Sequence, residues 1–166
     1  MNLYSEKLGH KYDDKGRIAS KGKLHTPLFD ELNGLIYYRK SPPKSLGIEW
    51  LEAEFLPIVE SYDISTEDKL HTLSHHIAFQ ISKILKKMSS KVLIPGGGAY
   101  HDFLMGCIKK YAVSTKIIIP DPMIVEYKEA LVFGLLGILK FRNEINVLSS
   151  VTGAKSDHSS GKIYLP

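Results

Sequence analysis

Lys91-Val92-Leu93-Ile94 followed by Pro95-Gly96-Gly97-Gly98 is the stretch whose reading decides the fold. A short apolar run that stops at breaker residues predicts a strand leaving into a tight bend. An amphipathic stretch from Ala99 to Tyr111 follows, then a second apolar run, Lys116-Ile117-Ile118-Ile119, which ends at Pro120-Asp121-Pro122. Strand, glycine bend, helix and strand form the grammar of an α/β unit with parallel strands. The helix expected next, Glu126 to Phe141, is apolar nearly all round through Leu131, Val132, Phe133, Leu135, Leu136, Ile138 and Leu139. Such a helix is expected to lie buried. Only two parallel strands are legible, whereas a stable sheet needs three or more with both faces covered. The expectation is therefore a part of a larger α/β fold.

Upstream, the firmest helix runs from Glu67 to Lys87, with Leu70, Leu73, Ile77, Ile81, Ile84 and Leu85 at steps of three or four. Ser65 or Thr66 can cap it, and Lys83, Lys86 and Lys87 favour its C-terminal end. A further helix is expected from Gly47 through Glu60, with Trp50, Leu51, Phe55 and Ile58 on one side. Ser41-Pro42-Pro43-Lys44-Ser45 cannot be helical. Residues 1–40 read as a polar arm: a turn at Tyr12-Asp13-Asp14-Lys15-Gly16, then a short helix, Pro27 to Leu35, capped by Thr26. Residues 41–166 make the α/β lobe. Its tail, Ser149 to Pro166, reads as loop with a closing strand at Lys162 to Leu165.

The 166 residues, 43% hydrophobic and 24% charged, suit one globular domain that needs no disulfides. A lone Cys107 fits a reducing, cytoplasmic setting. Twenty-two basic against eighteen acidic side chains leave +4, too little to argue for nucleic acid, and the lysines are scattered. The longest apolar stretch, Ala130 to Leu139, falls short of the roughly 20 residues a membrane span needs.

Several features could carry chemistry. The triple glycine lets a backbone lie flat against a ligand at a helix start, or it is simply a tight turn. It is neither a P-loop nor a dinucleotide fingerprint. Val151-Thr152-Gly153-Ala154-Lys155 offers hydroxyl and free backbone, or is plain surface loop. Glu129, at the start of an apolar helix, needs a partner, a ligand or solvent. His71, His75 and His76 share a helix face but lack a third ligand, so they read as a solvated face. Cys107 reads as packed in its helix.

Taken in order, Tyr12-Asp13-Asp14-Lys15-Gly16-Arg17-Ile18-Ala19, Ser20-Lys21-Gly22-Lys23, Pro42-Pro43-Lys44-Ser45-Leu46-Gly47-Ile48-Glu49-Trp50, Val92 to Tyr100, Lys128-Glu129-Ala130-Leu131 and Val151-Thr152-Gly153-Ala154 are similar to the C-terminal half of anhydro-N-acetylmuramic acid kinases. The resemblance spans nearly the whole chain. It implies an actin-like (ribonuclease H-like) ATPase fold, of which this would be a partial domain with short parallel strands flanked by helices and an extra helical N-terminal arm. It also implies ATP with Mg²⁺ and anhydro-N-acetylmuramic acid as ligands, the 1,6-anhydro bond being hydrolysed as the 6-hydroxyl is phosphorylated. By the same resemblance Gly96, Gly97, Gly98 and Ala99 belong to the adenosine-side loop, Thr152 and Gly153 to a closing nucleotide loop, and Glu129 to the sugar side. Lys44 and Ser45 match a motif without an assigned role.

The family's two phosphate loops and the aspartate that acts as base have no counterpart in these residues. Pro95 stands where relatives usually carry Thr, His101 where they usually carry Asn, and Lys155 where a small residue is usual. The resemblance thus implies a portion inactive alone that pairs with an N-terminal half or a second copy. The competing expectation is a split-gene subunit or degenerate remnant acting only in association.

Overall fold

The computed structural model describes residues 1–41, 44–85 and 91–164. The expectations that touch Pro42, Pro43, Lys86, Lys87, Leu165 and Pro166 lie outside the described residues. The chain divides into two compact units, Met1–Ile119 and Pro120–Pro166.

The first unit opens with α1 (Asn2–Lys7), two 3₁₀ turns (Asp14–Gly16 and Ala19–Lys21) and α2 (Thr26–Gly34). The cap of α2 is His25 and not Thr26, because the helix starts one residue earlier than the proline suggested. The His25 ring nitrogen Nδ1 accepts from the Leu28 N–H at 3.3 Å. After a 3₁₀ turn at Ile36–Arg39, α3 (Ile48–Trp50), a π-helical turn (Leu51–Phe55) and α4 (Leu56–Ser61) follow without a break. Pro57 has no N–H to return to the carbonyl of Ala53, and the widened turn sits where that bond is missing.

α5 (Thr66–Leu85) is the spine, and Ser65 caps it, its hydroxyl accepting from the Asp68 N–H at 3.1 Å. Its N-terminal half, through Leu70 and Leu73, closes one core with Tyr4, Ala19, Leu28, Leu32, Phe55 and Val59. The polar arm thus lends its few apolar side chains to a core it could not make alone. The C-terminal half of α5 closes a second core with α6 (Asp102–Tyr111), through Ala78, Leu85, Met105, Cys107 and Ile108. Cys107 is buried, as its helix setting predicts.

β1 (Lys91–Leu93) and β2 (Lys116–Ile118) pair in parallel, Val92 opposite Ile117. They are the strands of this sheet among the described residues. Val92, Ile94 and Ile117 pack against the second core, whereas Leu93, Ile118 and Ile119 on the remaining positions are exposed. One face of a parallel pair is therefore bare, against the usual rule for parallel sheets.

The histidines contradict the expected solvated face. His76 is 2% exposed, its ring held between the Tyr38 hydroxyl and Asn33 Oδ1, each at 2.9 Å. His75 is buried against the Tyr111 hydroxyl, and His71 stacks on it while meeting the Ala19 carbonyl. The reason is that α5 is covered on two sides, by α2 and by α6, so a single apolar stripe under-reads its buried surface. Burial first, with nearby cationic charge second, pushes both His75 and His76 down to about 4. A second cluster ties α1 to α4. Tyr4 and Lys7 donate to Glu60 Oε1 at 2.9 Å each, and these bonds, the one from Lys7 foremost, hold that carboxyl down at about 2.

The second unit contains α7 (Pro122–Phe141), α8 (Ser149–Thr152) and a single antiparallel bridge between Val147 and His158. The Asp121 carboxylate caps α7 at the Met123 N–H, so the helix starts four residues before the expected Glu126. Its expected burial is not found. Val125 is buried, but Leu131 is 64%, Phe133 70% and Phe141 79% exposed. The returning segment touches one side only, through Asn146 on the Leu136 carbonyl and Lys140 on that of Ser159. A unit this small has too little chain to cover a helix apolar on every side. The expected closing strand is also absent, since Lys162 to Tyr164 run without regular structure. No helix among the described residues is long and apolar enough to cross a membrane.

The depressed histidines set an acid limit. An unfolded chain takes up these protons from about pH 6.5 downward, the folded one only near 4, so stability is full above 6.5 and falls across that window. The thermal midpoint is expected to drop steadily between pH 6.5 and 4, and His76→Gln, though less stable at neutral pH, should show a shallower drop. A midpoint flat across the window in the unsubstituted chain would remove the buried neutral pair from the account.

Candidate functional site

The glycine bend leaves β1 through extended Gly96 (φ −95°, ψ 163°) and tightens into a 3₁₀ turn at Gly97–Tyr100. The Ala99 N–H donates to the Gly96 carbonyl at 2.8 Å, and the His101 N–H to that of Gly98 at 3.1 Å. Ala99 is buried beneath the bend. Neither backbone nor packing demands glycine here. None of the three takes a positive φ, and a methyl group added to any of them meets no atom within 4 Å.

Gly16 shows the opposite case. Its φ is +77°, and an added Cβ would stand 2.4 Å from the His101 ring and 2.5 Å from Phe103 Cβ. The fold itself requires that glycine. The fold gives no reason for Gly97 and Gly98, and both border an open cleft of about 850 Å³.

The cleft is also lined by the turn from Tyr12 to Lys15 and by Asp102. Asp13 is folded inward, its Oδ1 accepting from the Ile18 N–H at 2.7 Å and its Oδ2 from the Ala19 N–H at 2.9 Å. His101 caps α6, Nδ1 accepting from the Leu104 N–H at 3.1 Å. In sequence, Tyr12 to Gly16 is a turn with no visible link to the bend. Some 80 residues separate it from the bend, and only the fold brings the two together.

Of the other sequence-derived candidates, Glu129, Thr152 and Gly153 belong to the second unit, and Lys44 is not among the residues that line the cleft. Glu129 is exposed and paired with Lys128 Nζ at 3.2 Å, so solvent meets the charge that a buried helix would have had to neutralise. The Thr152 hydroxyl donates to the Leu148 carbonyl at 2.9 Å, and Gly153 closes α8 in the left-handed region at φ +73°. Lys44 reaches the Tyr37 carbonyl and lies 5.2 Å over that ring. Among the described residues no three acidic, histidine or cysteine side chains converge as a cation site.

What fold and cleft define is an α/β chain in which two parallel strands are joined through a ligand-accessible glycine bend and a helix. The model of the anhydro-N-acetylmuramic acid kinase family matches residues 2–166. The chain is 31% identical to the anhydro-N-acetylmuramic acid kinase of Clostridioides difficile (strain 630), over 92% of this chain and 43% of that protein. It is likewise 31% identical to the enzyme of that name from Mannheimia succiniciproducens, over 94% and 45%. The one from Crocosphaera subtropica is 29% identical over 93% and 44%. The chain belongs to the anhydro-N-acetylmuramic acid kinase family, and it spans less than half the length of these curated relatives.

The contrast between glycines is measurable. Gly16→Ala is expected to destabilise by about 1–3 kcal/mol, since strain and clash act together. Gly97→Ala and Gly98→Ala should leave stability within about 1 kcal/mol, tending upward as the unfolded chain loses freedom. Denaturant titration of the three variants checks this, and a loss at Gly98 equal to that at Gly16 would mean the bend is glycine-rich for its own packing.

Proposed function

We propose that residues 1–166 form the adenosine-side portion of an ATP-dependent anhydro-N-acetylmuramic acid kinase of the actin-like, hexokinase-like ATPase superfamily. The observation that carries this reading is the pair Gly97 and Gly98. They face an open cleft and are free of any internal need for glycine. A side chain at either position would occupy the space where a flat ligand approaches the backbone. Membership of the family supports a nucleotide as the ligand class at the bend, and Glu129 is proposed to contact the anhydrosugar. The free, buried Cys107 thiol suits a cytoplasmic enzyme.

The residues at hand do not fit a magnesium site of their own, because the cleft offers the separate carboxylates of Asp14 and Asp102 and no convergent set. The role of these residues is to bind and orient. The glycine bend accepts the base and ribose, and the Tyr12–Lys15 turn limits the cleft from the opposite side. The phosphate loops and the aspartate base that the family reaction needs have no counterpart within 1–166, so these residues by themselves are proposed not to turn over substrate.

Two surfaces support a covering partner, namely further polypeptide equivalent to the remainder of the relatives' length. They are the bare face of β1 and β2 and the exposed apolar sides of α7. Contiguous apolar surface of this kind is costly in water and marks association.

Two measurements test the reading. Calorimetry with Mg-ATP should show binding that Gly98→Ala weakens about tenfold or more, a side chain intruding on the ligand's place. No difference between the variants would refute the cleft as the nucleotide site. A coupled assay for phosphorylation of 1,6-anhydro-N-acetylmuramic acid should read zero for residues 1–166 alone. It should rise on co-expression with a polypeptide corresponding to the other half of a relative. Turnover by the purified 166 residues alone would overturn the claim that the base lies elsewhere.

A further inference from the structure

Asp13 and His101 stand where the two sides of the cleft meet. The Asp13 side chain is 1% exposed, and His101 Nε2 is fully buried, 3.6 Å from Asp13 Oδ2. That distance is just beyond hydrogen-bond range, and Nε2 has no other partner. Because Nδ1 accepts from the Leu104 N–H, the ring proton must sit on Nε2 and point toward the carboxylate. With one nitrogen committed to the helix cap and the other facing Asp13, the ring has no free nitrogen for acid–base work or for a ligand.

The surroundings make this pair mechanical. The ring lies directly over Gly16, so near that no side chain fits there, and it follows the bend by a single residue, its own N–H closing the 3₁₀ turn on Gly98. Asp13 in turn gathers the Ile18 and Ala19 N–H groups and so fixes the Tyr12–Lys15 turn. A buried donor without an acceptor is costly. An approach of about half an ångström between bend and turn would complete the bond.

We propose that His101 is a positioning residue. With Asp13 it forms a latch that sets the spacing between the glycine bend and the Tyr12–Lys15 turn, and the latch closes to a hydrogen bond when a flat heterocycle fills the cleft. The proposal rests on the cleft being a ligand site, but the latch has consequences that need no ligand.

The test uses the full 166-residue chain and hydrogen exchange at the Ala99 amide, which is bonded within the bend. His101→Ser keeps a good helix cap and loses the reach to Asp13, whereas His101→Ala loses both. His101→Ser is expected to hold a higher thermal midpoint than His101→Ala, yet to speed Ala99 exchange about tenfold, because the attraction between the Nε2–H and the Asp13 carboxylate across 3.6 Å is lost. Asp13→Asn should do the same, and the double variant should add little, because the two act as one unit. Nitrogen chemical shifts of the His101 ring should report the Nε2–H tautomer.

Unchanged exchange in His101→Ser, simple additivity, or an Nδ1–H ring would overturn the latch. Should His101→Ser fail to fold, Asp13→Asn decides alone, with faster exchange in support and unchanged exchange against. Loss of Mg-ATP binding in either variant extends the latch to ligand affinity. If the unsubstituted chain binds no Mg-ATP while the exchange results hold, the nucleotide reading falls and the latch stands.

Discussion

The first unit depends on one constraint: α5 buries polar side chains on two opposite sides, and each must find a partner. A buried polar group without one is penalised more heavily than a made bond is rewarded. The partners are spread over every neighbouring element. Asp68 takes the Lys23 N–H, Thr72 that of His25, and His71 meets the Ala19 carbonyl. His76 reaches Asn33 on α2 and Tyr38 beyond it, while His75 reaches Tyr111 at the end of α6. The apolar contacts of α5 favour collapse without direction. These bonds choose the register, since sliding α2 or α6 by one turn would orphan several at once. The same demand explains why His75 and His76 stay neutral, because a second proton on a ring held this way would be a charge in a dry interior.

That directional packing matters for the cleft. α6 is fixed to α5 at Tyr111 and through the second core, and its other end carries His101 and the glycine bend. The Ala19–Lys21 turn is fixed to α5 at His71, and just before it lies the Asp13 turn. Both sides of the cleft are therefore referred to a single rigid helix. A glycine bend is soft by itself. Its place in space comes from the two ends of α6 and from β1, not from its own residues.

Much of this was legible because it rests on local chemistry. β1 and β2, the bend, α6 and α5 follow from apolar runs and breakers that need no knowledge of the rest of the chain. What stayed hidden needs tertiary context. His25 as a cap could not be read, since a ring nitrogen is a rare capping acceptor beside an adjacent Thr. The burial of His75 and His76 required knowing that α5 is covered twice. For α7 the error ran the other way: an all-apolar pattern reports what a helix can bury, and whether the chain has matter to bury it with is a separate fact. Glu129 follows from the same fact, exposed and paired with Lys128 because the helix around it is not covered. At the cleft, the glycines were visible as a motif, but the turn opposite them carries ordinary residues, and nothing in Tyr12 to Lys15 points to a partner so distant along the chain.

The bare face of the strand pair and the uncovered α7 bear on the same question from different units. Each is a place where the hydrophobic term is unspent: Leu93 and Ile118 on one, and Leu131, Leu135 and Ile138 among others on the other. The apolar side chains of both are exposed, and the two differ in how their backbone groups are met. The strand backbone pairs internally along one edge only, and α7 satisfies its own backbone along its length. Added polypeptide would therefore gain burial without disrupting a made bond. The glycine bend differs from both surfaces. It presents backbone to the cleft, whose border also includes Tyr100 and Ile119. These residues thus present two unlike kinds of surface, exposed apolar area on the strand pair and α7, and backbone open to the cleft at Gly97 and Gly98.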